Sequence, residues 1–312
     1  MNKIQIPGVE GGITQLIMGS DYFSPKRMEL VSQMLDSFVE NGGNTIDTAF
    51  IYCGGESEEA IGIWMQERGN RDQIKVWTKG AHPNASGPRV NPDAIREELE
   101  ISLQRLQTDY VDLYALHRDD PNVPVQVIID ALNEHVEAGT IKAFGVSNWT
   151  VQRIQEANDY AKKNGLHGFT FNSPNLSLAK AQEPYWRDCI SADDEILQWH
   201  TERNFPLLSW SSQARGFFTG RFTRDNLENK DLVRVFYNDA NWERYDRAKT
   251  LAEEKGVSTI QIALAYVLNQ PFPTCAIIGP QNPEEMRSCA EGAQIRLSKS
   301  EIAWLDLKQE SR

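Results

Sequence analysis

Three observations predict an α/β fold of the (β/α)8 barrel type, with eight parallel strands closed on themselves and helices outside. Short runs rich in β-branched and aromatic residues alternate with amphipathic helical segments along the chain. The predicted strands end near residues 19, 47, 79, 117, 147, 172, 211 and 279, and most intervals are about one βα unit long. No G-x-G-x-x-G run follows the first strand, which counts against a doubly wound sheet with a dinucleotide-binding turn. No low-complexity tract or long linker divides the chain, so residues 1–312 are expected to form one domain.

The strands expected in order are 13–19 (ITQLIMG), 45–49 (TIDTA), 73–79 (QIKVWTK), 110–117 (YVDLYALH), 141–147 (IKAFGVS), 168–172 (GFTFN), 205–211 (FPLLSWS) and 274–279 (TCAIIG). Each is too short for a typical helix and is bounded by turn formers or polar residues. Helices fall between them. One opens on Ser24 with Pro25 in its first turn, where a missing N–H costs nothing, and closes on glycines. Asn91 and Pro92 repeat that grammar, and a third helix spans 150–165. The last interval is the long one. It carries an insertion after the seventh strand, GFFTGRFTRDNLENKDLVRVFYNDANWERYDR, and an extra helix is expected at the C-terminus.

Composition narrows the function. The chain has 312 residues, a hydrophobic fraction of 40% and a charged fraction of 24%, enough for a large core. A formal net charge of -12 argues against nucleic acid and against an anionic membrane surface as partners. No apolar run of spanning or signal-peptide length occurs, and the four cysteines lie far apart without metal-ligand spacing. A cytoplasmic protein with reduced thiols and no metal is therefore expected, its oligomeric state open.

In this fold the chemistry sits at the C-terminal ends of the strands. Asp47 and Tyr52 follow the second strand, Lys79 ends the third and His117 ends the fourth. Taken singly, each has a bland role: a turn cap, a half-buried aromatic, a surface cation, a hydrogen-bonded barrel histidine. Together at one barrel mouth they form a coherent set. An ammonium would favour phenolate and lower the phenol's pKa, a carboxylate would hold that ammonium, and a neutral imidazole would donate to a substrate oxygen. Such a set protonates an oxygen that is gaining negative charge.

The runs DTAFIY, VWTK, LYALH and FGVSN resemble the successive signatures of the aldo-keto reductase superfamily, and the likeness extends from MGSDYF to IIGPQNPEEM. The resemblance implies NADPH-dependent reduction of an aldehyde or ketone, with NAD(H) as the alternative cofactor. It implies Tyr52 as proton donor, Asp47 and Lys79 as its tuning pair, and His117 as the residue orienting the carbonyl. It further implies a cofactor site built from Gly19, Ser20, Asp47, Ser147, Asn148, Ser173, Trp210, Ser211, Gln213, Gly216, Arg221, Ile278, Gly279, Gln281, Glu285 and Cys289.

Several of these depart from the usual pattern. Ser173 stands where a Gln is common, and Leu176 where an aromatic is common. Trp210 stands where a Tyr usually stacks on nicotinamide, Gln281 where a cation meets the 2′-phosphate, and Glu285 and Cys289 where Gln and Asn are usual. Glu285 would repel a 2′-phosphate, with Arg221 and Arg287 as candidate compensating cations. Asn148 could also cap the following helix. Tyr22, Phe23, His82, Trp149 and the insertion from Phe217 onward are the expected substrate-pocket lining. Two other functions compete: a non-catalytic cofactor-binding regulatory subunit of the same fold, and a metal-dependent hydrolase using His82 and His117, for which no HxH or HExxH spacing speaks.

Overall fold

The computed structural model describes residues 1–312. The chain opens with a short antiparallel hairpin, β1 (Lys3–Ile4) and β2 (Ile13–Thr14), which pairs with no barrel strand. There follow β3 (Leu16–Gly19), α1 (Met28–Glu40), β4 (Thr45–Asp47), α2 (Glu56–Arg68), β5 (Lys75–Gly80), α3 (Pro92–Leu106), β6 (Val111–Leu116) and α4 (Val125–Glu137). The second half holds β7 (Ile141–Ser147), α5 (Val151–Asn164), β8 (Asn172–Ser173), α6 (Asp194–Arg203) and β9 (Leu207–Ser209). It ends with α7 (Lys230–Phe236), α8 (Asp239–Lys255), α9 (Thr259–Leu268), β10 (Thr274–Ile278), α10 (Pro283–Gly292) and α11 (Lys299–Leu305). The strands β3 to β10 close a parallel barrel in chain order, with β10 pairing back onto β3. The expected barrel, the insertion after its seventh strand (β9) and the extra C-terminal helix (α11) are all present.

Strand alternation sorts residues between two cores. Trp77, Leu113, Ala115, Ala143, Phe171, Leu208 and Cys275 point into the barrel, where Ile6, Val9 and Ile13 of the N-terminal segment join them. The larger core lies between strands and helices and includes Val76, Tyr114, Phe144, Val146 and the apolar faces of α1 to α5. Period-two spacing from Trp77 puts Lys79 on the inner side of β5. The same spacing from Leu113 and Ala115 brings His117 inward, one residue beyond β6.

Helix starts follow the expected caps. Ser24 accepts from the backbone N–H of Lys26 at the head of a short 3-10 turn, Pro25–Arg27, that precedes α1. Asn91 accepts from Ala94 at α3. At α5 the cap is Thr150, which accepts from Arg153. Asn148, expected as a candidate cap, lies two residues too early and has φ +62.

Some strand limits differ from expectation. The first breaks at Gln15 because residues 13–14 pair with the hairpin and 16–19 with the barrel. The sixth and seventh shrink to 172–173 and 207–209. Phe169 and Phe171, outside the shortened sixth strand, are still buried, and apolar composition signals burial rather than ladder length.

Candidate active site

The loop after β4 turns sharply. Cys53, Gly54 and Gly55 all have positive φ, at 50°, 67° and 101°. A Cβ on Gly55 would lie 2.4 Å from Cζ of Arg105, so glycine is required there. This turn brings Tyr52 back over the strand ends. Lys79 reaches the same place from β5, and the three side chains form a chain of contacts. Its ammonium donates to Asp47 Oδ1, to the Thr48 carbonyl at 2.9 Å and to the Tyr52 hydroxyl at 3.2 Å. It also lies 4.7 Å from the Trp77 ring centroid and 4.8 Å from that of Tyr52. Asp47 and Lys79 are almost fully buried. The His117 ring stands edge-on to Tyr52 at 5.7 Å, and His82 stands edge-on to His117 at 5.0 Å. The four residues expected to converge do so.

Burial sets the protonation states. It pushes the Asp47 carboxyl up to about 6 and pulls the Lys79 ammonium down, while their mutual attraction opposes both shifts. His117 is held well below the ordinary imidazole value by burial, then by the Lys79, Arg118 and His82 charges. It is therefore neutral at pH 7, as expected, and its Nδ1 is buried without a partner. Tyr52 differs from expectation. Burial raises its phenol well above the ordinary value, and Asp47 and Asp21 add to the rise against Arg118. Desolvation outweighs the cations nearby, so the hydroxyl keeps its proton until another oxygen draws it.

Around this centre the remaining predicted residues fall into three groups. Ser147 and Ser173 are paired across β7 and β8, with the Ser147 hydroxyl donating to the Ser173 carbonyl at 2.9 Å. The Ser173 hydroxyl is buried and unpartnered. Asn148 donates to Ser147 Oγ at 3.0 Å and accepts from the Ile190 N–H at 3.0 Å. Leu176 is core. Trp210 is half-buried with its Nε1 unpartnered, and the exposed ring of Trp186 lies 5.6 Å from it at a 46° tilt.

The second group is the turn after β9. Ser211, Ala214, Arg215 and Gly216 have φ of 48°, 47°, 51° and 87°. Two N–H groups of this turn close tight turns within the segment, Ala214 donating to the Ser211 carbonyl at 2.9 Å and Gly216 to the Gln213 carbonyl at 3.0 Å. The sequence suggested Ser211, Gln213 and Gly216 here but missed Ala214 and Arg215, because neither residue type signals a left-handed backbone. Arg215 is held outward, its guanidinium 4.9 Å from the Tyr185 ring and 5.1 Å from the Trp186 ring.

The third group is the segment after β10. Ile278 is buried and Gly279 exposed, with open space where a Cβ would stand. Gly19 faces the other way, since a Cβ there would press within 3.0 Å of Ile277 and Ile278. Arg221 donates to Glu285 at 2.9 Å, and Glu285 also accepts from the Gln281 N–H at 2.9 Å. The cation and the carboxylate expected to oppose one another are thus partners, and Arg287 is exposed outside any ion pair.

Other residues are committed elsewhere. The Ser20 hydroxyl donates to the Asp47 carbonyl at 2.7 Å, and the Cys289 thiol, pushed up to about 12 by burial, contacts Gln213. Of the expected pocket lining, His82 flanks the site, while Phe23, Trp149 and Phe217 are core. Tyr22 is partly buried against that core and donates to the Pro280 carbonyl.

Comparisons with known proteins identify the family and match the fold. The model of the Aldo/keto reductase family matches residues 15–310. Aldo-keto reductase YhdN of Bacillus subtilis is 31% identical over 267 residues, covering 81% of this chain and 75% of that one. Norsolorinic acid reductase of Aspergillus flavus is 30% identical, covering 88% and 70%. A probable voltage-gated potassium channel subunit beta of Oryza sativa subsp. japonica is 30% identical, covering 79% and 76%. The structure of an aldo/keto reductase from Klebsiella pneumoniae in complex with NADP and acetate superposes with a TM-score of 0.76 at 23% identity, covering 99% of this chain and 96% of that one. The chain belongs to the aldo/keto reductase family and is an NAD(P)H-dependent oxidoreductase.

Proposed function

We propose that the protein reduces an aldehyde or ketone to an alcohol with NADPH, Tyr52 delivering the proton. The observation that carries this reading is the buried Asp47–Lys79 pair in contact with the half-buried Tyr52 hydroxyl, beside a neutral His117. The residues present suit a nicotinamide dinucleotide. Ser173 Oγ and Trp210 Nε1 are unpartnered at the C-terminal ends of β8 and β9, the left-handed turn at 211–216 follows β9 directly, and the space beyond Gly279 is open. Ser147, Asn148 and Ser173 would hold the carboxamide, and Trp210 would stack on the ring. Ser211, Gln213 and Gly216 would follow the pyrophosphate. Arg221, Gln281 and Glu285 would meet the adenosine end, where the Arg221–Glu285 pair can exchange for a phosphate contact. Gly19, Ile278 and the Ser20 and Cys289 backbone would shape the walls. Reduced nicotinamide supplies the hydride when bound.

Tyr52 and His117 would receive the carbonyl oxygen. As that oxygen gains charge, the protonated phenol transfers its proton, and Lys79 stabilises the phenolate that remains. Asp47 keeps Lys79 charged in a buried place where ammonium is otherwise disfavoured. The relative named as a channel subunit favours a second reading, a cofactor-binding regulatory protein of the same fold. The filled catalytic set favours the enzyme.

The test is NADPH oxidation with a panel of small aldehydes, wild type against Tyr52→Phe. The variant should keep cofactor affinity within about threefold and lose at least about a hundredfold in turnover, the size of a general-acid contribution. Turnover above half of wild type with chemistry rate-limiting would remove Tyr52 from its role. No oxidation of either nicotinamide by any aldehyde would favour the regulatory reading.

A further inference from the structure

Arg118 is the one arginine among the buried residues, 8% exposed, and it enters no ion pair. It follows His117 directly. One guanidinium nitrogen donates to the His117 carbonyl at 2.8 Å and another to the Cys189 sulfur at 3.1 Å. Both acceptors are uncharged. The adjacent carboxylate, Asp119, is committed to Arg153 through two hydrogen bonds of 3.0 and 3.1 Å. The other buried cation of the mouth, Lys79, has Asp47. A buried guanidinium without a counter-charge is costly to keep and leaves part of its five-donor fork unused.

Its place is the barrel mouth. The charge of Arg118 is felt at Tyr52, Lys79, His82 and His117, the groups that surround the expected carbonyl. The contact with Cys189 ties it to the long segment between β8 and α6, so the fork is held in place on two sides. A carboxylate accepts such a fork in bidentate fashion, an arrangement that distinguishes it sharply from a methyl group.

We propose that Arg118 is a specificity-determining residue that pairs with a carboxylate of the substrate, so that the preferred substrates are small oxo acids whose carboxylate lies a few atoms from the reducible carbonyl. This rests on the reductase reading of the same site. The bland alternative is that Arg118 only bridges the His117 backbone to the Cys189 segment.

The test compares succinic semialdehyde with butanal, which have the same chain length and differ in the carboxylate. Wild type should favour succinic semialdehyde in kcat/KM by about tenfold to a hundredfold, mostly through KM, the range of a charge-assisted contact. Arg118→Leu should reduce that ratio at least about tenfold, whatever it does to both substrates together. Arg118→Lys should retain part of the ratio, because a point charge remains without the fork. Acetate should inhibit butanal reduction by wild type competitively and lose most of that effect in Arg118→Leu.

A wild-type ratio near one overturns the proposal, even if no variant folds. An unchanged ratio in Arg118→Leu, with both substrates slowed alike, leaves only the bridging role. Failure of wild type to reduce either aldehyde overturns the reductase reading itself, which is a distinguishable result.

Discussion

Replacing Lys79 by methionine keeps most of the side-chain volume and removes the only cation paired with Asp47. That carboxylate is 3% exposed, so the variant strands a charge in a nearly dry place. Breaking a buried pair in this way costs about 3–5 kcal/mol. The cost must depend on pH, and its sign follows from Asp47. In the wild type burial already holds the folded carboxyl at about 6, above its ordinary value of 3.8. Without Lys79 it rises further. Above the unfolded value, a raised carboxyl destabilises the fold more as pH increases, until the pH passes the folded pKa. If the folded carboxyl of the variant lies at or above about 8, the extra cost relative to wild type is about 2–3 kcal/mol near pH 8 and under about 1 near pH 5.5, at about 1.4 kcal/mol per unit.

Urea denaturation of both proteins at the two pH values measures this difference. The double variant Lys79→Met/Asp47→Leu should recover much of the loss at the higher pH, because no charge is then stranded. Turnover should collapse in the single variant, since the hydrogen bond to the Tyr52 hydroxyl is gone. A single variant as stable as wild type near pH 8, or a loss with no pH dependence, would refute the buried-pair argument.

Other outcomes are expected. Trp210→Ala should weaken cofactor binding and remove much of the cofactor-induced fluorescence quench; equal quenching in both proteins would place Trp210 away from the nicotinamide. NADPH should bind more tightly than NADH, and Gln281→Arg should strengthen NADPH several-fold while leaving NADH nearly unchanged; tighter NADH binding by wild type would reverse the assignment of cofactor preference. The buried His200 accepts from Asn172 Nδ2 and donates through Nδ1 to the Phe205 carbonyl; burial holds it neutral with a value of about 4. Its neutral form is favoured in the fold, so its contribution is complete above about pH 6.5 and is lost as pH falls toward 4, by about 2 kcal/mol between pH 6.5 and 5. An unfolding free energy in His200→Gln with the same acid slope as wild type would contradict this.

Much of the site was legible from residue order alone. The barrel follows from the recurrence of strand and helix patterns, because each strand must be buried on both faces and each helix on one. Given the barrel, Asp47, Lys79 and His117 had to meet, since period-two alternation and parallel register place successive strand ends at one mouth. The caps at Ser24 and Asn91 are equally local, as each satisfies backbone donors within its own turn, whereas the cap of α5 fell to Thr150 rather than Asn148. Tertiary structure decided what depends on distant partners and on solvent. The Tyr52 phenol was expected to fall toward phenolate, yet it rises, because desolvation at the mouth outweighs the cations around it. Arg221 and Glu285, 64 positions apart, turned out to be partners rather than opponents. The left-handed backbone at Ala214 and Arg215 has no signature in those residue types. Arg118 reads in sequence as one more charge after a histidine, and only the packed mouth shows that no carboxylate of this chain reaches it. Local preferences select elements and their order; the dielectric around a charge, and the partner available to it, exist only once the chain has closed.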